Sequence, residues 1–226
     1  MTPPRVVVLY EDKTAGGLHK LVSRMVQETR AEPLWHLRSL PMKGNGKLVK
    51  ACGDFERMRF FEPHRADHVF AVIDAYEVEK VVPKAPKPRP PKPGDDPTFE
   101  AYARELEREV CAHLREVAKA PNDSSFHPIV LFWERESVFL AGREVLARTH
   151  RLELPAAVST SSGVLRTRHP TKVIEEAWEK AYGQPYSKAV NGPQLFDTLA
   201  EHRTIWPTLL AAVPCLKELV ESLAAL

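Results

Sequence analysis

The sequence predicts an α/β protein: an open, mostly parallel sheet flanked by helices, with a helical C-terminal portion. Three observations lead there. The apolar runs at residues 6–10, 68–73 and 129–132 are short, rich in Val, Ile, Leu and Phe, and continuous rather than alternating. Strands buried on both faces of a parallel sheet read this way. Between the runs, apolar residues recur at helical spacing, as crossover connections require. Finally, the runs lead into acids, and in open α/β sheets working groups gather beyond the carboxyl ends of strands.

Taken in order, Val6-Val7-Val8-Leu9-Tyr10 is a central strand that stops at Glu11-Asp12-Lys13. Leu18, Leu21, Val22, Met25 and Val26 then mark a helix, with Asp12 or Thr14 as its N-cap. Residues 34–40 suit a half-buried second strand. Gly44-Asn45-Gly46-Lys47 is a turn before a short helix at 48–55. The third strand, 68–73, ends at Asp74. Residues 83–97 hold seven of the chain's 20 prolines, interleaved with Lys84, Lys87, Arg89 and Lys92. Locked φ angles and missing amide donors leave this segment an extended surface loop or a basic arm.

Phe99, Tyr102, Ala103, Leu106, Val110, Leu114 and Val117 then predict an amphipathic crossover helix leading to the strand at 129–132. Residues 134–147 look helical and 151–171 loop-rich. Val173 to Tyr182 forms a helix that Gly183 stops, and a final helix runs from Leu209 to Leu223. Two parts are expected, an α/β core over 1–150 and a helical extension over 151–226 packed on the same domain.

Composition narrows the function classes. A net charge of +2 does not by itself call for a nucleic-acid partner, so any basic surface must come from local clustering. Arg143, Arg148, Arg151, Arg166, Arg168 and Lys172 supply one such cluster, read either as scattered surface arginines or as a phosphate track. Cys52, Cys111 and Cys215 are odd in number and far apart, which fits a reducing, cytoplasmic setting rather than a disulfide framework or zinc ribbon. No apolar stretch suggests a signal peptide or membrane span.

Acids cluster at the predicted strand ends: Glu11-Asp12, then Asp74, then Glu134 and Glu136. Parallel strands would bring them to one edge, where a hard cation such as Mg²⁺ or Mn²⁺ would relieve their repulsion. The plainer reading is that each caps a following helix. His64 and His68, near Glu62 and Asp67, have a spacing open to a transition metal, with surface histidines as the alternative. Gly44-Asn45-Gly46-Lys47 lacks the Walker spacing, and Ser159 to Ser162 contain no nucleophile elbow. Trp133, Trp178 and Trp206 read as core.

Strand-Glu, then strand-Asp-x-x-Glu, then an acidic pair resembles the Toprim domain of primases, topoisomerases and OLD-type nucleases. Phe132-Trp133-Glu134-Arg135-Glu136, His169-Pro170-Thr171-Lys172, Tyr186-Ser187-Lys188 and the closing Pro214-Cys215-Leu216 are similar to small stand-alone Toprim-like proteins of bacteria. The resemblance implies a Mg²⁺- or Mn²⁺-dependent nuclease. Glu11 would be metal ligand or proton-transfer group, Asp74 the first aspartate, and Glu134 with Glu136 the holders of a second metal. Lys188 would act at the scissile phosphate. It also implies an ATPase partner in antiviral defence. Two positions depart from the pattern: Asp12 replaces the usual glycine, and Tyr76 stands at the second aspartate, with Glu77 one residue further on as a substitute. The alternative is therefore a catalytically degraded subunit that binds nucleic acid or protein.

Overall fold

The computed structural model describes residues 4–11, 16–30, 36–61, 63–83, 85 and 96–226. Lys84, Lys87, Arg89 and Lys92, the two proposed N-caps Asp12 and Thr14, and Glu62 lie outside the described residues. The chain divides into two compact units, Met1–Asp12 with Leu34–Val130, and Lys13–Pro33 with Leu131–Leu226.

The first unit holds a four-stranded, all-parallel sheet in the order β2-β1-β3-β4. Its strands are β1 (Arg5–Tyr10), β2 (His36–Pro41), β3 (His68–Asp74) and β4 (Phe126–Leu131). In β1, Val6 to Tyr10 are all buried, and so are Val69 to Ile73 in β3. That is why neither strand alternates polar with apolar residues. β1 pairs with β2 from Arg5↔His36 to Tyr10↔Pro41 and with β3 from Val6↔His68 to Tyr10↔Val72.

The order places β1 at a reversal. The chain leaves β1 for β2 on one side and then for β3 and β4 on the other. Helices α2 (Asn45–Cys52) and α3 (Phe55–Phe60) pack on β3, and the long α4 (Asp96–Val117) packs on α2. Pro97 falls in the first turn of α4, where its missing N–H leaves no bond unmade. Residues 48–55 were expected as one short helix. They are the end of α2 and the start of α3, separated by Gly53 and Asp54.

The second unit is helical. It consists of α1 (Gly16–Thr29), α5 (Ser137–Ala141), α6 (Arg143–His150), α7 (Ser161–Arg166), α8 (Pro170–Tyr182), α9 (Asn191–Glu201), α10 (Trp206–Ala212) and α11 (Pro214–Ala224). Helix α1 packs on α9 and α11. A Cβ at Gly17 would lie 2.9 Å from Phe196, so the α1–α9 approach depends on that glycine.

Three differences from the sequence reading have local causes. The loop-rich stretch contains α7, nucleated by Thr160, whose hydroxyl caps Gly163 N. Helix α9, which opens on Asn191-Gly192-Pro193, falls where the sequence reading assigned no element. The expected single final helix is two, because Pro214 cannot donate to a continuing helix but suits the first turn of a new one. Gly183 ends α8 in the left-handed region, φ 64°, as anticipated. Trp133, Trp178 and Trp206 are buried, and the indoles of Trp133 and Trp206 donate to the carbonyls of Leu165 and Leu199. No described helix is long and apolar enough to cross a membrane.

Candidate functional site

In the first unit, adjacent strands β1 and β3 each lead to an acid at the carboxyl edge. Glu11 follows the last residue of β1, and Asp74 is the last of β3, only 9% exposed. This edge lies at the reversal of strand order, the place where open α/β sheets leave a crevice for ligands.

One short segment fastens both strand ends. Met42 N donates to Tyr10 O and Gly44 N to Glu11 O, each at 2.7 Å. Asn45 Nδ2 donates to Asp74 O (3.2 Å) and to Tyr76 O (3.3 Å). These two carbonyls settle the orientation of the amide, since a flipped Asn45 would set oxygen against oxygen. Asn45 Oδ1 is then buried and has no hydrogen-bond partner among the described residues. An orphaned carbonyl of this kind costs about 1–3 kcal/mol unless something accepts its lone pairs. Gly44, at φ 120°, occupies backbone space that a side chain rarely tolerates.

Glu77 is placed differently. It sits in the left-handed region at φ 57°, and its carboxylate pairs with Lys80 Nζ at 2.6 Å in solvent. That ion pair raises the Lys80 ammonium above its ordinary range, the Glu77 hydrogen bond being the main cause.

In the second unit, Glu134, Arg135 and Glu136 form the turn before α5 and are buried, Glu136 completely. Lys188 Nζ lies 2.5 Å from Glu134 Oε1 and 3.4 Å from Glu136 Oε2. The other oxygen of Glu134 accepts from Thr171 Oγ1 (2.9 Å) and Thr171 N (3.4 Å), so this carboxylate also caps α8. The other oxygen of Glu136 accepts from Arg135 Nε (3.3 Å) and Tyr186 Oη (3.4 Å). Arg135 Nη2 donates to Lys188 O at 2.8 Å, which anchors the loop that presents the lysine. Gly192 completes the enclosure: a Cβ there would come within 3.2 Å of Tyr186 Oη and 3.3 Å of Arg135 Nη2.

The two acid sets differ in their fit to a divalent cation. Among the described residues, no group of three or more His, Cys, Asp and Glu is placed to hold a metal. Mg²⁺ needs less, because it commonly keeps several waters and takes one or two carboxylates plus substrate phosphate. Glu11 and Asp74 stand at the ends of adjacent strands, with the Asn45 amide donating to the Asp74 carbonyl. Glu134 and Glu136 are engaged by an ammonium, a guanidinium, hydroxyls and an amide, with Glu136 Oε2 facing the ammonium at 3.4 Å without a hydrogen bond.

The remaining sequence candidates fall elsewhere. His68 meets His127 of the neighbouring strand, Nδ1 to Nε2 at 3.1 Å, rather than His64. Burial lowers both histidines, His127 to about 4, with His68 and Arg115 adding to the effect. Arg166 is exposed at the end of α7, and Arg168 is half-buried beyond it. Asn45, Arg135, Thr171 and Tyr186 were not foreseen as site residues. The only signals for them were proximity in sequence to Gly44 and Gly46, to the acid pair, to Pro170 and to Lys188. Neither a family model, nor a curated protein, nor a solved structure matches the chain.

Proposed function

We propose that this chain is a Toprim-like phosphodiesterase that cleaves nucleic acid at the carboxyl edge of its sheet. The observation that supports this is the pair of acids, Glu11 and Asp74, ending adjacent parallel strands at the reversal of strand order. Glu11 and Asp74 would hold Mg²⁺ or Mn²⁺, with Asn45 Oδ1 as a neutral third oxygen. Such an ion supplies Lewis-acid charge and a water of lowered pKa. The protein's own part is positional. The 42–45 segment fixes both strand ends, so the carboxylates need little reorganisation when a phosphate arrives. Glu11, half-exposed, is the group proposed to move a proton.

By resemblance, Lys188 adds a fixed positive charge to the reaction. Lys84, Lys87, Arg89, Lys92, Arg166 and Arg168 are the proposed backbone contacts, and an ATPase is the proposed partner. A second reading, a nucleic-acid-binding module without cleavage, is favoured by Tyr76 at an acid position and by Glu134 and Glu136 being engaged by protein cations.

Incubating the purified protein with labelled DNA and RNA in Mn²⁺ separates the two. Cleavage that falls at least about a hundredfold in Glu11→Gln and Asp74→Asn, and about tenfold or more in Lys188→Ala, is expected. Retention of nucleic acid without cleavage under any divalent ion would establish the second reading.

A further inference from the structure

We infer that Asn45-Gly46 is a site of spontaneous deamidation in the folded chain, where the amide that fastens the end of β3 becomes a carboxylate through a succinimide. The inference goes beyond the phosphodiesterase reading and does not rest on it. Its reactants are this chain's own amide, its main chain and water.

The chain has three asparagines, and two of them, Asn45 and Asn191, precede glycine. In an Asn-Gly pair the glycine nitrogen is the nucleophile and the asparagine Cγ the electrophile, kept within reach by one peptide unit. Glycine lets the backbone turn into the ring-closing conformation, which a Cβ restricts. The nitrogen must first give up its proton, and burial opposes the charged form that results.

The two pairs differ on that point. Gly46 is exposed, and its N–H, in the first turn of α2, makes no hydrogen bond among the described residues. The Gly44 carbonyl, the nearest helix acceptor, is taken by Lys47 N and Leu48 N, each at 3.1 Å. Gly192 is buried, and its N–H donates to Ser187 O at 3.4 Å. Ser187 N polarises the Asn191 carbonyl through its 2.7 Å bond to Oδ1, but the nitrogen that would attack there is shut away from water. Deprotonation comes first, so exposure decides. Asn45 is the pair that reacts.

The Gly46 nitrogen loses its proton to water or hydroxide and bonds to Asn45 Cγ. The Cγ–Nδ2 bond breaks and ammonia leaves, which closes the succinimide. Water opens the ring at either carbonyl, giving aspartate or isoaspartate. Both products exchange the Nδ2 donor for an acceptor. The carbonyls of Asp74 and Tyr76, now bonded at 3.2 and 3.3 Å, would meet a carboxylate instead. The tie between the 42–45 segment and the end of β3 is thereby lost irreversibly. Because Oδ1 has no donor to stabilise the tetrahedral intermediate, the folded chain should react more slowly than an unfolded one.

The test is peptide mass mapping of the full chain after incubation at mildly alkaline pH, folded and in urea. The mass increase of NH₂ replaced by OH is read at each asparagine. Folded, Asn45 should convert at least about tenfold faster than Asn191, and the two rates should converge in urea, where neither glycine is shielded. Gly46→Ala should slow Asn45 by about tenfold or more, since the Cβ restricts ring closure. That Cβ meets only Val81 Cγ1 within 4 Å, at 3.7 Å, so the fold has room for it, and a thermal melt checks this. Asn191 converting as fast as Asn45 in the folded chain overturns the inference. So does a folded chain in which neither converts while both do in urea. A folded Gly46→Ala chain that converts Asn45 at the wild-type rate overturns it as well.

Discussion

The carboxyl edge of the sheet and the turn before α5 both concentrate acids, yet they position them by opposite means. At the edge, main-chain bonds from the 42–45 segment fix the strand ends that bear Glu11 and Asp74. At the turn, Glu134 and Glu136 are held by their own oxygens: Glu134 Oε1 and Oε2 and Glu136 Oε1 meet donors, and Glu136 Oε2 faces the Lys188 ammonium at 3.4 Å without a hydrogen bond. Where main-chain bonds fix a strand end, the place of its carboxylate does not depend on that side chain's oxygens alone. Carboxylates placed through ion pairs become part of the structure. Mutations should therefore act mainly on chemistry at the edge and mainly on stability at the turn.

The largest effect expected from this contrast is at Glu136. Glu136→Ala removes a carboxylate from beside Arg135, which is 2% exposed. Breaking a buried pair from one side costs about 3–5 kcal/mol, on the order of 10 °C in Tm for a chain of this length. Urea unfolding of Glu136→Ala beside Glu11→Gln measures the contrast directly. A Glu11 variant destabilised as much as the Glu136 variant would erase the distinction between the two regions.

How far the contrast was legible in the sequence depends on the distance over which each feature acts. The strands at Val6–Tyr10 and Val69–Ile73 were legible because burial on both faces leaves a continuous apolar run. Their parallel pairing places Glu11 and Asp74 at one edge, so that half of the candidate site followed from pattern alone. The Lys188–Glu134 pair spans 54 positions, and no periodicity links them. The family resemblance suggested that lysine, and the turn at Gly183-Gln184-Pro185 with the attraction of carboxylates for a cation suggested that it would point to the acids, as it does at Glu134 and Glu136. Helix α9 was hidden by its Asn-Gly-Pro start. The break between α10 and α11 was hidden by leucine spacing that continues through Pro214. In each case tertiary packing overrode a local signal.

Next in size is an effect at neither acid set, which makes it a useful control. His127 is held down to about 4 by burial first, then by His68 and Arg115. Its ordinary value is 6.5, so between pH 6.5 and 4 the unfolded chain binds a proton that the folded chain refuses. Stability should be full above that window and fall as pH decreases through it. The loss is at most about 3 kcal/mol, reduced toward ~1–2 kcal/mol by partial exposure of the ring. His127→Phe keeps the stack on Phe70 and should flatten the acid limb of a Tm–pH curve. An unchanged limb would assign acid sensitivity to the carboxylates of the turn instead.

A smaller effect is expected at Asn45. Asn45→Ala removes one hydrogen bond to the last residue of β3 and one to Tyr76 beyond it, but also an orphaned carbonyl, so the net loss should be about 1 kcal/mol. If the edge is positioned through its backbone, turnover should fall more than this stability change implies. Kinetics and unfolding measured on the same preparation test that. A proportionate loss of both would make Asn45 a purely structural residue.

The smallest effect, and the sharpest test of which acids belong to the edge, is at Glu77. The sequence offers it as a substitute for the missing second aspartate. The structure pairs it with Lys80 in solvent, and such exposed pairs contribute little. Its left-handed backbone, φ 57°, costs a non-glycine residue about 1 kcal/mol. The two terms have opposite sign, and the backbone term is larger. Glu77→Gly should therefore leave stability unchanged or raise it by about 0.5 kcal/mol, whereas removing any side chain of the turn lowers it. Glu77→Gln keeps the backbone cost and loses the exposed pair, so it should be only slightly less stable. Neither variant should alter Mn²⁺-dependent cleavage if Glu11 and Asp74 are the acids that serve it. A tenfold drop in both, without a change in Tm, would bring Glu77 back to the edge as a third acid and would mean that its pairing with Lys80 gives way when substrate binds.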